Sequence, residues 1–130
     1  MKLNQVTVPS KNLEKSLHFY QTLGFELIVD ALPRYIRFLC PDKENTFSVH
    51  LVETKEEGNG IVLYFECEHL DQVYNELLEK GILFDHPPID QTWLWRETRL
   101  KDPDGHQLIL YKAGKNRVYP PWGLKNRVDF

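Results

Sequence analysis

The chain contains one pattern of residues twice, 57 positions apart. Residues 8–25 read VPSKNLEKSLHFYQTLGF, and residues 65–82 read FECEHLDQVYNELLEKGI. This offset aligns Leu13 with Leu70 and Gly24 with Gly81. In both copies apolar residues recur on one face of a helix, and a glycine follows where a left-handed residue commonly ends a helix. A repeat of this kind predicts two copies of one supersecondary unit.

Runs of strand-forming residues surround both predicted helices. The predicted strands are 3–8, 25–29, 35–40 and 47–52 in the first half, and 61–67, 82–86, 93–100 and 107–111 in the second. Each half therefore reads β-α-β-β-β, which places the chain in the α+β class. One helix covers only one face of a four-stranded sheet, so the other face must meet water, a partner sheet or a ligand. We expect the two modules to form a curved mixed sheet around a cavity.

The repeat also defines the domain organisation. We predict a single domain over 1–113, made of halves at about 1–57 and 58–113. The remaining residues, 114–130, lie outside the repeat and contain the sequence YPPWG, whose two prolines exclude a regular helix or central strand. We expect this tail to pack on the domain or on a partner subunit, and capping of the pocket mouth is the alternative.

Charge and cysteine content limit the partners that the chain can have. The formal net charge is −3 and no basic face is visible, so nucleic acid and anionic membranes are not expected partners. No apolar run is long enough to cross a bilayer, and the first residues lack the apolar core of a signal peptide. Cys40 and Cys67 form no C-x-x-C pair, which favours two reduced thiols in a cytoplasmic protein.

Four short motifs give the chain a family resemblance. They are NQVTV at 4–8, LHFY at 17–20, LGF at 23–25 and DPDGH at 102–106. With them the chain resembles the vicinal oxygen chelate superfamily, which includes glyoxalase I, extradiol dioxygenases, fosfomycin-resistance enzymes and bleomycin-resistance proteins. The resemblance covers residues 1 to about 113 and implies the paired βαβββ fold, known as the glyoxalase/bleomycin-resistance fold, and a homodimer. It is specific for the fold and not for one reaction.

Metal-dependent members of this superfamily hold one divalent ion with four side chains, two from each half. The resemblance carries these positions onto Gln5, His50, Val62 and Ile109. Val62 and Ile109 have no donor atom, and two neutral ligands would bind an ion weakly. We therefore expect a degenerate metal site and no cofactor, with Glu66 as a possible substitute ligand because it shares the predicted face of Val62.

Strand alternation places aromatic and polar side chains on the predicted cavity face. Aromatic rings can stack on a planar ligand, and an arginine can bind a carboxylate or a phosphate. His50 and Glu66 are also candidate acid–base groups. An equally good interpretation is that the tryptophans fill the core or a subunit interface and that Arg96 pairs with an acidic residue. The candidate ligand-binding residues are Gln5, Arg37, His50, Tyr64, Glu66, Trp95, Arg96 and Tyr111.

Three functions are consistent with this sequence. The first, which we favour, is a small-molecule-binding protein of the bleomycin-resistance type. The second is a glyoxalase-like lyase, an isomerase or a dioxygenase that uses Ni, Zn, Mn or Fe, with a metal-independent acid–base enzyme as a variant. The third is a non-catalytic interaction domain whose cavity is filled by its own side chains.

Overall fold

The structure is a computed structural model, and it describes residues 1–53 and 60–124. The predicted junction between the halves at 57 and 58 and the end of the tail at 125–130 lie outside the described residues. The elements in chain order are β1 (Gln5–Ser10), α1 (Leu13–Thr22), β2 (Glu26–Ala31), β3 (Tyr35–Leu39), β4 (Thr46–Leu51), β5 (Val62–Glu66), α2 (Leu70–Glu79), β6 (His86–Asp90), β7 (Arg96–Lys101), β8 (Gln107–Lys112) and a 3₁₀ turn at Gly114–Asn116.

Two compact units divide the chain. Unit 1 comprises Met1–Ile61 and Lys101–Gln107, and unit 2 comprises Val62–Leu100 and Leu108–Phe130. Each unit contains one helix and one open, mixed four-stranded sheet. The prediction of two βαβββ modules in the α+β class is therefore confirmed.

The sheet of unit 1 has the strand order β1-β4-β3-β2. β1 runs parallel to β4, whereas β3 is antiparallel to both β2 and β4. α1 contacts β2, β3 and β4 on one face of this sheet. Tyr20 of α1 is fully buried there, with its ring centroid 4.7 Å from that of Phe47 and 5.8 Å from that of Phe38. The apolar strand residues of this core are Val8, Ile36, Phe38, Phe47 and Val49.

The turn between β7 and β8 belongs to unit 1 because its two aspartates bond to α1 and the residues before it. Asp102 Oδ2 accepts a hydrogen bond of 2.6 Å from the Tyr20 hydroxyl. Asp104 Oδ2 accepts one of 3.2 Å from the Ser16 hydroxyl, and its Oδ1 accepts one of 3.0 Å from the backbone N–H of Lys11. The DPDG motif thus has a structural role that its sequence pattern alone, a type I turn, does not reveal.

The sheet of unit 2 has the order β5-β8-β7-β6, with α2 in contact with β6. Residues of α2 and of three strands supply the core on the helix side. They are Leu63, Leu70, Leu77, Leu100, Leu108 and Leu110. Among the described residues no helix has the length and apolarity that crossing a bilayer would require.

Both helices end in the same way. Gly24 and Gly81 follow the last helical turns with φ of +98° and +90°, as their sequence positions predict. Their N–H groups bond to the carbonyls of Gln21 and Leu78, and the N–H of the next residue, Phe25 or Ile82, bonds to Tyr20 or Leu77. This pair of bonds is the Schellman motif, in which only glycine adopts the left-handed position without strain.

The predicted strand at 82–86 is wrong. Ile82 is buried as the last residue of the Schellman motif, and its N–H is used by the helix. The strand β6 starts only at His86 and includes Pro87 and Pro88, with an irregular register between His86 and Ile89. β6 is an edge strand, where the missing N–H of proline is tolerated.

The predicted strand at 93–100 begins too early. β7 starts at Arg96, and Trp93 and Leu94 lie in the preceding turn, with Leu94 at a φ of +65°. The Leu94 N–H bonds to Gln91, whose own N–H bonds to the carbonyl of Trp95. Trp93 is therefore a turn residue and not part of the strand face.

Candidate functional site

The face of the unit 1 sheet that points away from α1 is polar and hydrogen-bonded. Gln5 on β1 donates from Nε2 to the hydroxyl of Ser48 on β4, and its Oε1 accepts from the Thr46 hydroxyl. The Ser48 hydroxyl shares a hydrogen bond of 2.6 Å with the Tyr35 hydroxyl, to which Arg37 Nε donates over 3.0 Å. We call the set Gln5, Tyr35, Arg37 and Ser48 the polar face. Each member fixes the orientation of the next.

Tyr35 is the electrostatically distinctive member of the polar face. Burial acts to raise its pKa, but the hydrogen bonds with Ser48 and Arg37 and the charge of Arg37 outweigh this effect. The pKa of Tyr35 therefore lies below its ordinary value. The Arg37 guanidinium carbon also lies 5.5 Å from the centroid of the Tyr35 ring, a cation–π distance.

The face of the unit 2 sheet that points away from α2 carries three aromatic rings. Trp95 and Tyr111 are stacked, with centroids 4.6 Å apart and planes at 19°. Tyr64 on β5 lies edge-on to both, at 6.0 Å from Trp95 and 5.8 Å from Tyr111. Trp95 Nε1 donates to the carbonyl of Asn116 over 3.1 Å, which fixes the indole. We call Tyr64, Trp95 and Tyr111 the aromatic face. Tyr64 is 53% exposed, so one ring is open to a ligand.

The charge of Glu66 acts on Tyr111 of the aromatic face. It is exposed at the end of β5, two residues after Tyr64. Burial raises the pKa of Tyr111, and the negative charge of Glu66 raises it further, whereas Arg117 lowers it. The carboxylate of Glu66 is therefore close enough to Tyr111 to act on its hydroxyl.

Arg96 pairs with two carboxylates. Its Nε donates to Asp71 on α2 over 3.0 Å, and its Nη1 donates to Asp90 on β6 over 3.1 Å. These hydrogen bonds raise the pKa of Arg96. Of the two interpretations made from the sequence, the ion pair is the one present in this structure. Arg96 also lines, with Trp95 and Lys112, an open groove of about 560 Å³ beside the 3₁₀ turn.

Glu97 is a buried residue of β7 that the sequence did not single out. Glu97 is the second residue of β7, so alternation puts it on the side opposite Arg96. Its side chain is only 1% exposed, and its Oε1 lies 3.7 Å from Arg99 Nη2. Within residues 1–53 and 60–124, Glu97 Oε1 has no hydrogen-bond partner. The only signal in the sequence was the strand alternation that places Glu97 opposite Arg96.

Comparison with known proteins agrees with this architecture. The sequence-family model of the Glyoxalase/Bleomycin resistance protein/Dioxygenase superfamily matches residues 2–110. The chain belongs to this superfamily. A trivalent organoarsenical cleaving enzyme of Bacillus sp. (strain MD1) is 30% identical over 134 residues, which cover 93% of this chain and 81% of that protein.

Solved structures of the superfamily have the same fold. A member from Sphaerobacter thermophilus DSM 20745 is 27% identical, with a TM-score of 0.70 over 86% of this chain and 97% of that one. A bleomycin-binding protein complexed with bleomycin has a TM-score of 0.73 at 19% identity, over 86% of this chain and 98% of that one. At that identity the likeness establishes the fold alone.

The superfamily's metal-ligand positions do not fit a divalent ion in this chain. Gln5 is level with Thr46 on β4, whereas His50 is level with Pro9 at the other end of β1. Four residues of strand separate the two levels, about 13 Å. The structure thus places the two predicted donors on one face but not together, and Ser48 is the residue that contacts Gln5.

The positions in unit 2 offer no donors either. Val62 is exposed on β5 and Ile109 is buried on β8, and both side chains are hydrocarbon. Among the described residues no group of three His, Cys, Asp or Glu side chains is arranged to hold a metal. The donor set at these positions is therefore one amide oxygen already bonded to Thr46 and one distant imidazole, which does not fit a divalent ion.

Proposed function

We propose that this chain is a small-molecule-binding member of the superfamily and that the aromatic face of unit 2 binds the ligand. The observation that carries the proposal is the half-exposed Tyr64 ring against the stacked pair Trp95–Tyr111. Two of these rings are already ordered by stacking and by the bond from Trp95 to Asn116, so a planar ligand would not have to fix them. Apolar walls with a few polar groups are typical of ligand sites.

The polar residues predicted from the sequence are also proposed as ligand-binding groups, each within its own unit. Arg37 uses Nε within the polar face and has further N–H groups for a carboxylate or a phosphate. Gln5 and His50 are the other proposed binding groups of unit 1, taken by itself. In unit 2, Glu66 offers an acceptor to a ligand on the aromatic face. The bleomycin-binding protein that shares this fold binds bleomycin, which supports a ligand-binding role and makes bleomycin the first compound to test.

A fragment-binding screen tests this proposal. Bleomycin, indole, phenol and benzoate are titrated separately, with ligand-observed NMR as the readout. We expect at least one compound to bind, and Tyr64→Ala to weaken that binding about tenfold, the value of a lost stacking contact of roughly 1.4 kcal/mol. Trp122→Ala is the matched control, because Trp122 is exposed but lies outside the aromatic face. Absence of binding across the set, or binding that Tyr64→Ala leaves unchanged, contradicts the proposal and favours an interaction domain.

The metal content is part of the same proposal. We propose that the chain works without a resident divalent ion, because Val62 and Ile109 supply hydrocarbon where relatives need donors. Elemental analysis of purified protein, with thermal melts in added Ni, Zn, Mn and Fe, checks this. We expect less than about a tenth of an equivalent of metal and no rise in melting temperature. A stoichiometric metal that stabilises the fold would contradict it.

A metal-dependent enzyme is the second candidate function. The observation in its favour is the 30% identical relative that cleaves trivalent organoarsenicals. A direct assay incubates this protein with a trivalent organoarsenical, with and without each of the four metals. Turnover that requires metal would replace the binding role by an enzymatic one.

Finally, we propose a homodimer, as the family resemblance implies, and light scattering after gel filtration should give twice the mass of 15.4 kDa.

A further inference from the structure

Arg37 is a partly buried cation of the polar face that lacks a carboxylate partner. None of the ion pairs that residues 1–53 and 60–124 form includes it. Its Nε donates to the hydroxyl of Tyr35 over 3.0 Å, whereas Nη1 and Nη2 make no hydrogen bond in the same part of the chain. Because a protonated phenol carries no charge, this bond leaves the positive charge of Arg37 uncompensated.

Hydrogen-bond donors are in excess around the Tyr35 hydroxyl. Ser48 Oγ accepts from Gln5 Nε2 and is fully buried, so its own hydrogen is directed to the Tyr35 oxygen 2.6 Å away. The Tyr35 oxygen thus accepts from both Ser48 and Arg37, and its own hydrogen has no acceptor among the described residues. A phenol that accepts two hydrogen bonds, one of them from a cation, is itself a stronger donor. Tyr35 therefore presents an unused O–H group beside the unused Nη groups of Arg37.

The ionisation of Tyr35 indicates which charge this position favours. Burial acts to raise the pKa of Tyr35, but the hydrogen bonds with Ser48 and Arg37 and the charge of Arg37 lower it below its ordinary value. Surroundings that stabilise a phenolate oxygen also stabilise another anionic oxygen in its place. The titratable group opposite Tyr35 on β4 is His50, and the residue opposite it on β2 is the uncharged Ala31. Neither neighbour brings a negative charge that would repel an anion.

We propose that the polar face of unit 1 binds the carboxylate or phosphate group of a ligand, with the Tyr35 hydroxyl and the Nη groups of Arg37 as its donors. Both donors are unused in the structure, and the anion supplies the acceptors and the negative charge that they lack. This inference rests on the proposed ligand-binding function, concerns unit 1 by itself, and adds Tyr35 and the charge of the ligand. A neutral amide oxygen could accept from the same donors, but it would leave the charge of Arg37 uncompensated.

Three planar compounds of nearly equal shape test the charge requirement. They are benzoate, which is anionic at neutral pH, benzamide, which is neutral, and benzamidine, which is cationic; phenyl phosphate is added to distinguish a phosphate site from a carboxylate site. Dissociation constants are measured by NMR titration of the wild type, Tyr35→Phe and Arg37→Met. We expect the better of the two anions to bind the wild type about tenfold more tightly than benzamide, with benzamidine weakest. Arg37→Met should remove this preference, and Tyr35→Phe should weaken binding of the anion several-fold.

A control variant and a second measurement keep the result interpretable. Lys15→Met removes an exposed cation of α1, which lies on the other side of the sheet from the polar face, and should leave every affinity unchanged. Thermal melts of each variant establish that it folds. Ultraviolet titration of the wild type needs no variant: the bound anion should raise the pKa of Tyr35 by more than benzamide does, because a negative charge beside the phenol favours its protonated form. If Arg37→Met fails to fold, this titration decides the question, and an unchanged pKa overturns the inference.

The possible results separate this inference from the proposed function. If benzoate and benzamide bind the wild type equally and both depend on Tyr64, the aromatic face is a ligand site but the anion site on the polar face is wrong. If the preference for an anion survives Arg37→Met, or if neither anion binds while a compound of the fragment screen does, the inference alone is overturned. If no compound binds in either experiment, both fail.

Discussion

Removing the hydroxyl of Tyr20 would test how strongly the turn at 102–106 stabilises unit 1. The hydroxyl donates to Asp102 over 2.6 Å, and both residues are buried. Burial raises the pKa of Asp102, while the bonds from Tyr20 and from the backbone of His106 oppose that rise. In Tyr20→Phe the ring keeps its contacts with Phe47, so no cavity forms. Because the variant loses only one hydrogen bond to a buried carboxylate, we expect the free energy of unfolding to fall by about 2 kcal/mol.

Urea denaturation followed by circular dichroism measures this change, with a fall in melting temperature of about 6 °C as the thermal counterpart. Tyr74→Phe is the control, because Tyr74 is half-buried on α2 and its hydroxyl makes no hydrogen bond within the described part of the chain. A double-mutant cycle with Asp102→Asn should give a coupling of about 1 kcal/mol or more. A loss below about 0.5 kcal/mol, or additive effects, would refute the reasoning.

Three further predictions concern single groups. Burial raises the pKa of the Cys40 and Cys67 thiols to about 11, so neither should react with Ellman's reagent near pH 8 until the chain is denatured. The free energy of unfolding should fall as pH rises from 9.0 to about 11, because the thiols of the unfolded chain lose their protons first. Ultraviolet titration should show one tyrosine ionising below its ordinary pKa, absent in Tyr35→Phe and shifted upward in Arg37→Met. Asn12 accepts a bond from the first turn of α1, and Asn12→Ala should lower unfolding free energy by about 1 kcal/mol in urea denaturation.

The repeat made most of the fold predictable because both copies carry the same local signals. Apolar periodicity located α1 and α2, and Gly24 and Gly81 marked their ends. The failure at β6 has a local cause. Ile82 was assigned to a strand because it is apolar, but the Schellman motif uses its N–H and buries its side chain. The segment HPPID contains two prolines, which a strand tolerates here because β6 lies at the sheet edge.

The candidate site was predictable only in part, because alternation determines the face of a residue and not its level along the sheet. Alternation put Tyr64, Trp95 and Tyr111 on one face, and the structure brings their rings together. It also put Gln5 and His50 on one face, yet their levels differ by four residues of strand. The pairing of two parallel strands depends on the crossover between them, and no short motif in the chain specifies that register.

Burial of Glu97 was harder to foresee than either face. In a sequence a glutamate on a strand indicates a solvent-exposed position, because carboxylates are seldom fully buried unless they are paired. Only the three-dimensional fold shows that Glu97 is buried and that Arg99 pairs with it incompletely. An apolar residue at this position would avoid the desolvation of a charge, so stability alone does not account for a carboxylate here.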